Sequence, residues 1–451
     1  MRSIPGVVCS RFILLLFVFL VQLSATPLLA AGYAIKEHSV PALGHAFAGT
    51  AAGAHDLTDS FFNPATLILA SDDTAAFAFT SINVQAEMTD GAATNAAGKV
   101  IPGGKGNKDV GADAIVPAFF YAREKTPDLK FGFSLTAPWG LSSKNPAGWV
   151  GRYQAIDSAV KTMNFSPAMA RRINERWTWG AGLQLQQMDA NLTAAIDYGT
   201  VGAMLGKKTT PGTLDGFYDM KGNAWGYGLN LGCLYQPDPK SRIGLAWRSQ
   251  VKHKLKGETE FFYDAAGVGS AIAGAKGLLK KPGTTADVTT PDVISLGWWH
   301  QMNPKWDIVA DATFTRWSVF KELRAHFDDP NQPDAVTEEN WKDTFFFSLG
   351  TTYRTNGPWL FRLGAACEQS PVPDATRNPR IPDSDRTWLS CGLGYQASRN
   401  ISFDLGYAHF WMKNAPINLL STSAGNALRG NLTGTFENAI DLLGVQANIA
   451  F

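Results

Sequence analysis

The chain has 451 residues, of which 45% are hydrophobic, 12% are aromatic and 44 are glycine. Its 40 Lys and Arg balance 39 Asp and Glu, so the charge gives no reason to expect a nucleic-acid partner. A mean hydropathy of −0.09 excludes both a helical membrane protein and a disordered chain. Aromatic and glycine enrichment without repeated long apolar runs favours a protein built from β-sheet.

The N-terminus carries the one continuously apolar stretch, residues 12–30, which follows two arginines and ends in small residues. These are the features of a secretory signal peptide. An anchoring helix is the disfavoured alternative, because Ser24 and Pro27 interrupt the run before the ~20 residues that a membrane span needs. We therefore predict a signal peptide at residues 1–30 and an exported mature protein.

Cysteine usage after the signal peptide is sparse and odd-numbered, which argues against a disulfide framework. Small apolar strand positions explain the remaining cysteines better than metal ligation does: Cys233, Cys367 and Cys391. The sequence predicts no metal site and no cofactor.

The segment 31–72 is rich in Gly and Ala and shows no sustained two-residue alternation of apolar and polar positions. This separates it from the rest of the chain, which alternates almost throughout. A surface extension and a plug folded inside a larger structure are both compatible with such a segment.

Beyond residue 72 the chain alternates with a period of two, which is typical of strands with one apolar face. In "KFGFSLTAPW" the pattern places four apolar residues on one face: Phe131, Phe133, Leu135 and Trp139. We predict fourteen strands at residues 74–88, 113–124, 128–142, 158–173, 176–198, 221–236, 240–261, 285–301, 304–327, 341–355, 358–369, 385–397, 400–413 and 435–451.

The connections between these strands alternate strictly between very short turns, such as "NE" and "PDP", and loops of a dozen residues or more. This alternation over an even strand count is the pattern of an outer-membrane barrel, whereas a soluble sandwich has no reason to sort its loops. The apolar faces then meet lipid, and closure pairs every edge. The sequence predicts an all-β, 14-stranded antiparallel transmembrane β-barrel.

The lumen of a barrel of this size is too wide for side chains alone to fill. A plug formed by residues 31–72 would help to fill it, and 73–451 is expected to form the barrel. The last strand, "DLLGVQANIAF", ends in an apolar-face aromatic, Phe451. This residue is expected to be the signal read by the barrel assembly machinery.

Ordered motifs along nearly the whole mature chain resemble one family. They are "LGHAFAG" and "NPA" in the N-terminal segment, then "WRSQVKHKLKG", "PDVISLGWWHQMNPKWDI", "RWSVFKEL", "YRT", "SPVP" and "IPDSDRTWLS". The sequence is similar to the long-chain fatty-acid transporters of the bacterial outer membrane, the FadL family, which includes toluene and xylene uptake channels.

The resemblance implies a fourteen-stranded barrel with an N-terminal hatch inside the lumen, at residues 31–72. It also implies that a hydrophobic ligand lands between extracellular loops, moves to an internal pocket and leaves sideways through an opening at an inward kink of the third strand. Here "LTAPWGL" offers Pro138 and Gly140 as the kink, since proline lacks a ladder N–H and glycine tolerates unusual dihedrals. The alternative is an ordinary strand end. The hatch residues that the resemblance implies are Tyr33, Asn63, Pro64 and Ala65.

Two long loops contain apolar residues that are expected to form a ligand landing groove, since exposed apolar patches are otherwise liabilities. They are Met204, Leu205, Val268, Ile272, Leu278 and Leu279. The alternative is that these residues pack only against one another.

The seventh strand alternates so that Arg248 and Lys252 share a face with two further lysines, which predicts a lumenal basic row. The row is expected to bind either a fatty carboxylate or hatch acids such as Asp56 and Asp59. Family members that carry fatty acids hold the carboxylate with cations on the fifth strand and in the fifth long loop. This chain lacks an evident cation at those places, which raises the alternative of an uncharged aromatic hydrocarbon.

The predicted function is uptake of hydrophobic molecules, with long-chain fatty acids first and monoaromatic hydrocarbons of the toluene or xylene type as the alternative. A general porin and a barrel-embedded lipid hydrolase are remote alternatives, and no enzyme activity is expected, because the sequence lacks a G-x-S-x-G motif. The expected partners are a hydrophobic small molecule, outer-membrane lipid and lipopolysaccharide. We expect a monomer in the bacterial outer membrane.

Overall fold

The structure is a computed structural model that describes residues 32–71, 73–95, 98–104, 109–111, 113–423 and 425–451. The predicted signal peptide at residues 1–30 lies outside the described residues.

Twenty strand segments combine into fourteen strands, six of which are interrupted once. Their bounds are β1 Thr74–Thr94; β2 Ala114–Thr126; β3 Leu129–Thr136 and Gly140–Lys144; β4 Asp157–Arg172; β5 Trp177–Asp197; β6 Asp215–Asp238; β7 Ser241–Arg248 and Val251–Phe262; β8 Gly283–Thr290 and Val293–Asn303; β9 Trp306–Thr315 and Glu322–Phe327; β10 Ala335–Glu338 and Thr344–Arg354; β11 Trp359–Glu368; β12 Arg386–Gln396; β13 Ile401–Met412 and Ala415–Leu419; and β14 Asn431–Ala450.

The sheet closes on itself, because β14 pairs with β1 from Ala450↔Thr74 to Asn431↔Thr94. Elsewhere each strand pairs with the strands that precede and follow it in sequence, and all of these pairings are antiparallel. The prediction of an all-β, fourteen-stranded antiparallel barrel is therefore confirmed. No described helix is long and apolar enough to cross a membrane.

Alternation along each strand separates an apolar outer face from a polar and glycine-rich inner face. In β14, Leu443 and Val445 are about half exposed on the outer face, whereas the next residue, Gln446, is buried on the inner face. Lipid is the partner that such an outer face requires in a membrane barrel.

Short turns join the strands at one end of the barrel and longer connections join them at the other, as the sequence predicts. The long connections carry two short helices, α2 (Tyr198–Met204) and α3 (Val268–Lys276). A single 3₁₀ turn, Trp317–Val319, interrupts β9.

The N-terminal segment, residues 32–71, is almost entirely buried and packs against the inner wall of the barrel. It contains helix α1 (Val40–Leu43) and three 3₁₀ turns at Thr50–Ala52, Leu57–Phe61 and Pro64–Leu69. Its contacts fall on wall positions close to the short turns, so the segment occupies the short-turn half of the lumen.

Candidate functional site

The "NPA" motif anchors the N-terminal segment to the wall. Asn63 donates from Nδ2 to the Ala51 carbonyl at 2.7 Å and to the Cys233 carbonyl at 3.2 Å, and its Oδ1 accepts from the Ala65 amide at 3.0 Å. Pro64 begins the 3₁₀ turn that Asn63 caps. The three predicted hatch residues therefore tie the segment both to itself and to β6.

The wall is interrupted between β2 and β3. Their ladder runs from Thr126↔Leu129 to Phe119↔Leu135, and the next pairing in the described residues is the isolated bridge Gly111↔Ser143. Pro138 lies in the interruption and has no N–H for a ladder bond.

The N-terminal segment takes the place of the missing strand partner. The Ile35 amide donates to the Pro138 carbonyl at 2.8 Å, and the Gly140 amide donates to the Tyr33 carbonyl at 2.8 Å. An added Cβ on Gly140 would lie 2.6 Å from Ile35 Cδ1, so this close approach requires glycine or a displaced side chain. The predicted kink residues thus contact the tail of the N-terminal segment.

The interruption also reverses which residues of β3 point inward. Thr136 pairs with Asn164 and Gly140 pairs with Lys161, which is a one-residue shift in register against β4. Phe131 is 46% exposed on the outer face, but Trp139 is only 4% exposed inside the barrel. The prediction that Trp139 shares the outer face with Phe131 is wrong, because the extra residue switches the alternation.

Trp139 belongs to a buried aromatic cluster formed by Tyr33, Trp139, Trp317, Phe320 and Trp341. The Tyr33 ring is its centre, with centroid distances of 5.7 Å to Trp139, 4.9 Å to Trp317 and 5.6 Å to Trp341. Tyr33 and Phe320 line one cavity, whereas Trp139 and Trp317 line another. The aromatic cluster is therefore the partition between two internal cavities.

The upper cavity lies on the long-loop side of the aromatic cluster. Most of its lining is aliphatic, including Leu141, Val160, Met188, Leu192, Met220, Leu255, Val288 and Leu323. An apolar chain is the group that such a lining accommodates.

One end of the upper cavity is polar. Arg380 donates from Nη1 to Ser158 Oγ at 2.8 Å and from Nη2 to the Tyr218 hydroxyl at 3.0 Å. Arg429, also in the lining, donates to Thr337 Oγ1 at 3.1 Å. Two guanidinium groups therefore border a mostly aliphatic space.

Glu339 completes this polar end, in the irregular stretch between the two segments of β10. Its carboxylate accepts from Trp341 Nε1 at 3.0 Å and from Asn378 Nδ2 at 3.1 Å. Burial raises the pKa of Glu339 to about 7, although these hydrogen bonds and the charges of Arg380 and Arg429 oppose the rise. Its charge therefore changes near neutral pH.

The loop between β11 and β12 brings Arg380 into the lumen. The Arg380 carbonyl accepts from Ser143 Oγ at 3.2 Å, and Asp383 accepts from the Gly32 amide at 3.1 Å. The same loop therefore holds both the polar end of the upper cavity and the start of the N-terminal segment. Arg380 is not among the predicted site residues, although it directly precedes the motif "IPDSDRTWLS".

Arg429 was missed as well, and no sequence signal marks it. The resemblance places the carboxylate-binding cations on β5 and in the loop before β10. The arginines that border the upper cavity come instead from the loops at 369–385 and 420–430. Only the folded structure brings these loops to one end of the cavity.

The predicted lumenal basic row is present only in part. Arg248 is buried inside, where it donates to the Phe61 carbonyl and, at 3.1 Å, to Gln184 Oε1. Lys252 is exposed on the outer face, because β7 breaks between Arg248 and Val251 and its alternation reverses there. The prediction that Lys252 shares the face of Arg248 is therefore wrong.

The apolar loop residues divide into exposed and buried ones. Met204, Leu205 and Leu279 are exposed, whereas Ile272 is 5% exposed and packs inside its loop. Helices α2 and α3 contact each other, and Val268 lies at that contact beside Gly202. Leu278 is half-buried. The predicted landing groove thus reduces to three accessible residues above packed helices.

A model of the family described as outer membrane protein transport protein (OMPP1/FadL/TodX) matches residues 21–451. The long-chain fatty acid transport protein of Escherichia coli K12 is 28% identical over 421 residues, which cover 88% of this chain and 92% of that protein.

Two solved structures show the same fold. A FadL homologue of Pseudomonas aeruginosa aligns with a TM-score of 0.87 at 24% identity, covering 93% of this chain and 100% of that one. The toluene transporter TodX of Pseudomonas putida aligns with a TM-score of 0.67 at 15% identity, covering 92% and 99%.

Proposed function

The chain belongs to the FadL/TodX family of outer-membrane transport proteins, and from this premise we propose that it takes up long-chain fatty acids. The membership confirms the predicted family, the outer-membrane location and the transport of hydrophobic compounds. The family consists of transport channels rather than enzymes.

The observation that carries the proposal is the amphiphilic upper cavity. Its aliphatic lining suits an acyl chain, and the Arg380 and Arg429 guanidinium groups suit a carboxylate at one end. A toluene-type ligand has no charged group to pair with these cations. The name of the Escherichia coli relative, a long-chain fatty acid transport protein, points the same way.

The proposed route begins at the three exposed residues of the landing groove, Met204, Leu205 and Leu279. The ligand then enters the upper cavity, and the N-terminal segment acts as the hatch that keeps the short-turn half closed. Exit is sideways at the β2–β3 interruption, where Pro138 and Gly140 bond the tail of the hatch instead of β2. Movement of that tail would open both the partition and the wall.

The remaining partners are proposals of the same kind. The apolar outer face fits outer-membrane lipid and lipopolysaccharide, and closure of the sheet leaves no edge that requires a second copy, which favours a monomer. Phe451, exposed at the end of β14, is the proposed signal for the barrel assembly machinery.

Uptake of labelled oleate and labelled toluene tests the proposal, in cells whose own fatty-acid channel is deleted. With the wild-type protein we expect oleate uptake to rise. The double variant Arg380→Gln/Arg429→Gln should lower it about tenfold or more, since a hydrogen bond to a charged group contributes about 1.5–3 kcal/mol.

The matched control is Arg324→Gln, which removes an exposed arginine that pairs with Glu322 and Asp334 outside the cavities. It should leave oleate uptake unchanged. Toluene entry without oleate entry would replace the proposal with an aromatic-hydrocarbon channel. Large steady ion conductance of the wild type in planar bilayers would contradict the hatch.

A further inference from the structure

The lower cavity lies beneath the aromatic cluster, between the N-terminal segment and the wall. Most of its lining is apolar: Ala34, Ile35, Phe47, Phe61, Phe62, Trp139, Ala246, Val293, Trp317 and Phe346. Pro138 is also in the lining, so the cavity adjoins the β2–β3 interruption. Nothing in the proposed uptake route assigns a binding role to this space.

Two cations border the lower cavity, and they differ in their partners. Lys36 pairs with Glu368 at 2.6 Å, so its charge is balanced. Arg248, 7% exposed, donates to the Phe61 carbonyl and to Gln184 Oε1, and its guanidinium stacks 3.9 Å from the Phe61 ring centroid. Within the described residues no carboxylate lies within 4 Å of Arg248.

Several other arginines of the barrel have acidic partners. Arg362 pairs with Asp404 at 2.7 Å, and Arg152 pairs with Asp215 at 2.6 Å. Among the described residues, Arg380 shares with Arg248 the lack of an acid within 4 Å. A buried charge without such a partner is costly, because neutral acceptors replace only part of its hydration. Arg248 thus offers an unbalanced positive charge to whatever occupies the cavity beside it.

His38 provides a second, independent sign of a missing partner near Arg248. Its ring packs 4.3 Å from the Phe61 ring centroid, on the same phenyl group that Arg248 contacts. Both ring nitrogens are buried, and neither has a hydrogen-bond partner in the described part of the chain. Burial and the charge of Arg248 lower the pKa of His38 to about 3, so its ring is neutral.

We propose that the lower cavity is a second binding station for the transported fatty acid, with Arg248 as the receptor of its carboxylate and the apolar lining as the site of its chain. This rests on the proposed function and extends it. The position beside Pro138 makes the station the last one before the wall interruption. Each barrel would then hold two carboxylate ligands, one at Arg380 and one at Arg248.

Equilibrium binding of radiolabelled oleate to the purified, amphipol-solubilised protein tests the proposal. We expect two oleates for each wild-type barrel. Arg248→Gln should weaken one site at least tenfold and leave one oleate, whereas Arg248→Lys should restore the second. Binding of oleyl alcohol, which has the same chain without the charge, should be unchanged by Arg248→Gln.

Arg242→Gln is the matched control, because Arg242 also lies in β7, bonds the Ala52 and Gly53 carbonyls of the N-terminal segment and stacks on Trp299. It borders neither cavity. Two oleates should bind this variant. If Arg248→Gln and Arg242→Gln lower oleate and oleyl alcohol binding alike, Arg248 only anchors the segment and the proposal is wrong.

Crystals grown with 9,10-dibromostearate locate the sites without any variant, through the anomalous scattering of bromine. We expect bromine in both cavities. Bromine in the upper cavity alone would overturn the second station and leave the proposed function intact. No bound oleate, together with no oleate uptake by cells, would overturn the proposed function itself.

Discussion

The two halves of the lumen differ in how they are filled. The short-turn half contains the N-terminal segment, whose backbone and polar groups meet the wall directly, as where His45 Nε2 lies 3.1 Å from the Thr351 carbonyl and 2.9 Å from Thr352 Oγ1. The long-loop half contains a mostly aliphatic space that Glu339, Arg380 and Arg429 border at one end. The short-turn half is packed like a protein core, whereas the long-loop half leaves a cavity that a ligand can fill.

The difference shows where in each half a ligand can lie. Close-packed interiors leave few voids larger than a water molecule, so space for an acyl chain in the filled half is confined to the lower cavity beside the wall interruption. The empty half presents apolar surface that gains stability when a ligand removes it from water. The aromatic cluster around Tyr33 separates the two and contacts the tail of the segment that fills the lower half.

The largest effect is expected when the filled half is emptied. An added Cβ at Gly232 would lie 1.9 Å from Asn63 Oδ1, and one at Gly244 would lie 1.7 Å from the Ala51 carbonyl. The double variant Gly232→Ala/Gly244→Ala should therefore displace the N-terminal segment. We expect a large, steady ion conductance in planar bilayers from this variant and none from the wild type.

Gly222→Ala is the control for that measurement. It lies in β6 with Gly232, but its added Cβ would only reach an ordinary contact of 3.5 Å with Leu255. It should conduct no more than the wild type. If the double variant remains closed as well, the N-terminal segment does not seal the lumen.

Sequence periodicity was enough for the barrel itself, because one face of every strand must meet lipid and therefore alternates. The ends of the strands were harder to predict from the sequence. β1 continues to Thr94 and β6 begins at Asp215, beyond the predicted bounds. These extensions stand outside the apolar belt, where no lipid imposes the alternation, so "DGAAT" resembles a loop although it pairs with β14.

The site was harder to predict, for two physical reasons. A one-residue register shift inverts every later side chain, so Trp139 moved inside and Lys252 moved outside although the local pattern gave no warning. Loops carry no periodicity at all, and the two arginines that border the upper cavity, Arg380 and Arg429, come from loops. Pro138 and Gly140 could be singled out from the sequence because the backbone properties of proline and glycine act locally.

A smaller effect is expected when the wall interruption between the halves is altered. Pro138→Val restores an N–H to β3, and Gly140→Val forces Ile35 away, since an added Cβ would lie 2.6 Å from its Cδ1. Each variant should lower oleate uptake several-fold while the folded barrel remains, as judged by circular dichroism. Oleate binding at the upper cavity should persist. Unchanged uptake in both variants would remove the lateral exit.

The smallest effect concerns the charge of the empty half. Glu339 has a pKa of about 7, raised by burial, so it is mostly neutral at pH 6 and mostly ionised at pH 8. Ionisation places a negative charge near Arg380 and Arg429, and an anionic ligand should bind more weakly at pH 8. Because fatty acids themselves titrate, the suitable probe is a C16 alkyl sulfonate, which stays charged throughout.

By calorimetry, the wild type should bind the sulfonate roughly three- to tenfold more tightly at pH 6 than at pH 8, or about 0.7–1.4 kcal/mol. Glu339→Gln should remove this dependence and bind tightly at both values. Glu338→Gln, which alters the exposed neighbouring acid, should retain it. A pH dependence that survives in Glu339→Gln would mean that another group sets the charge at the polar end. In that case Glu339 does not compete with the ligand for the two arginines.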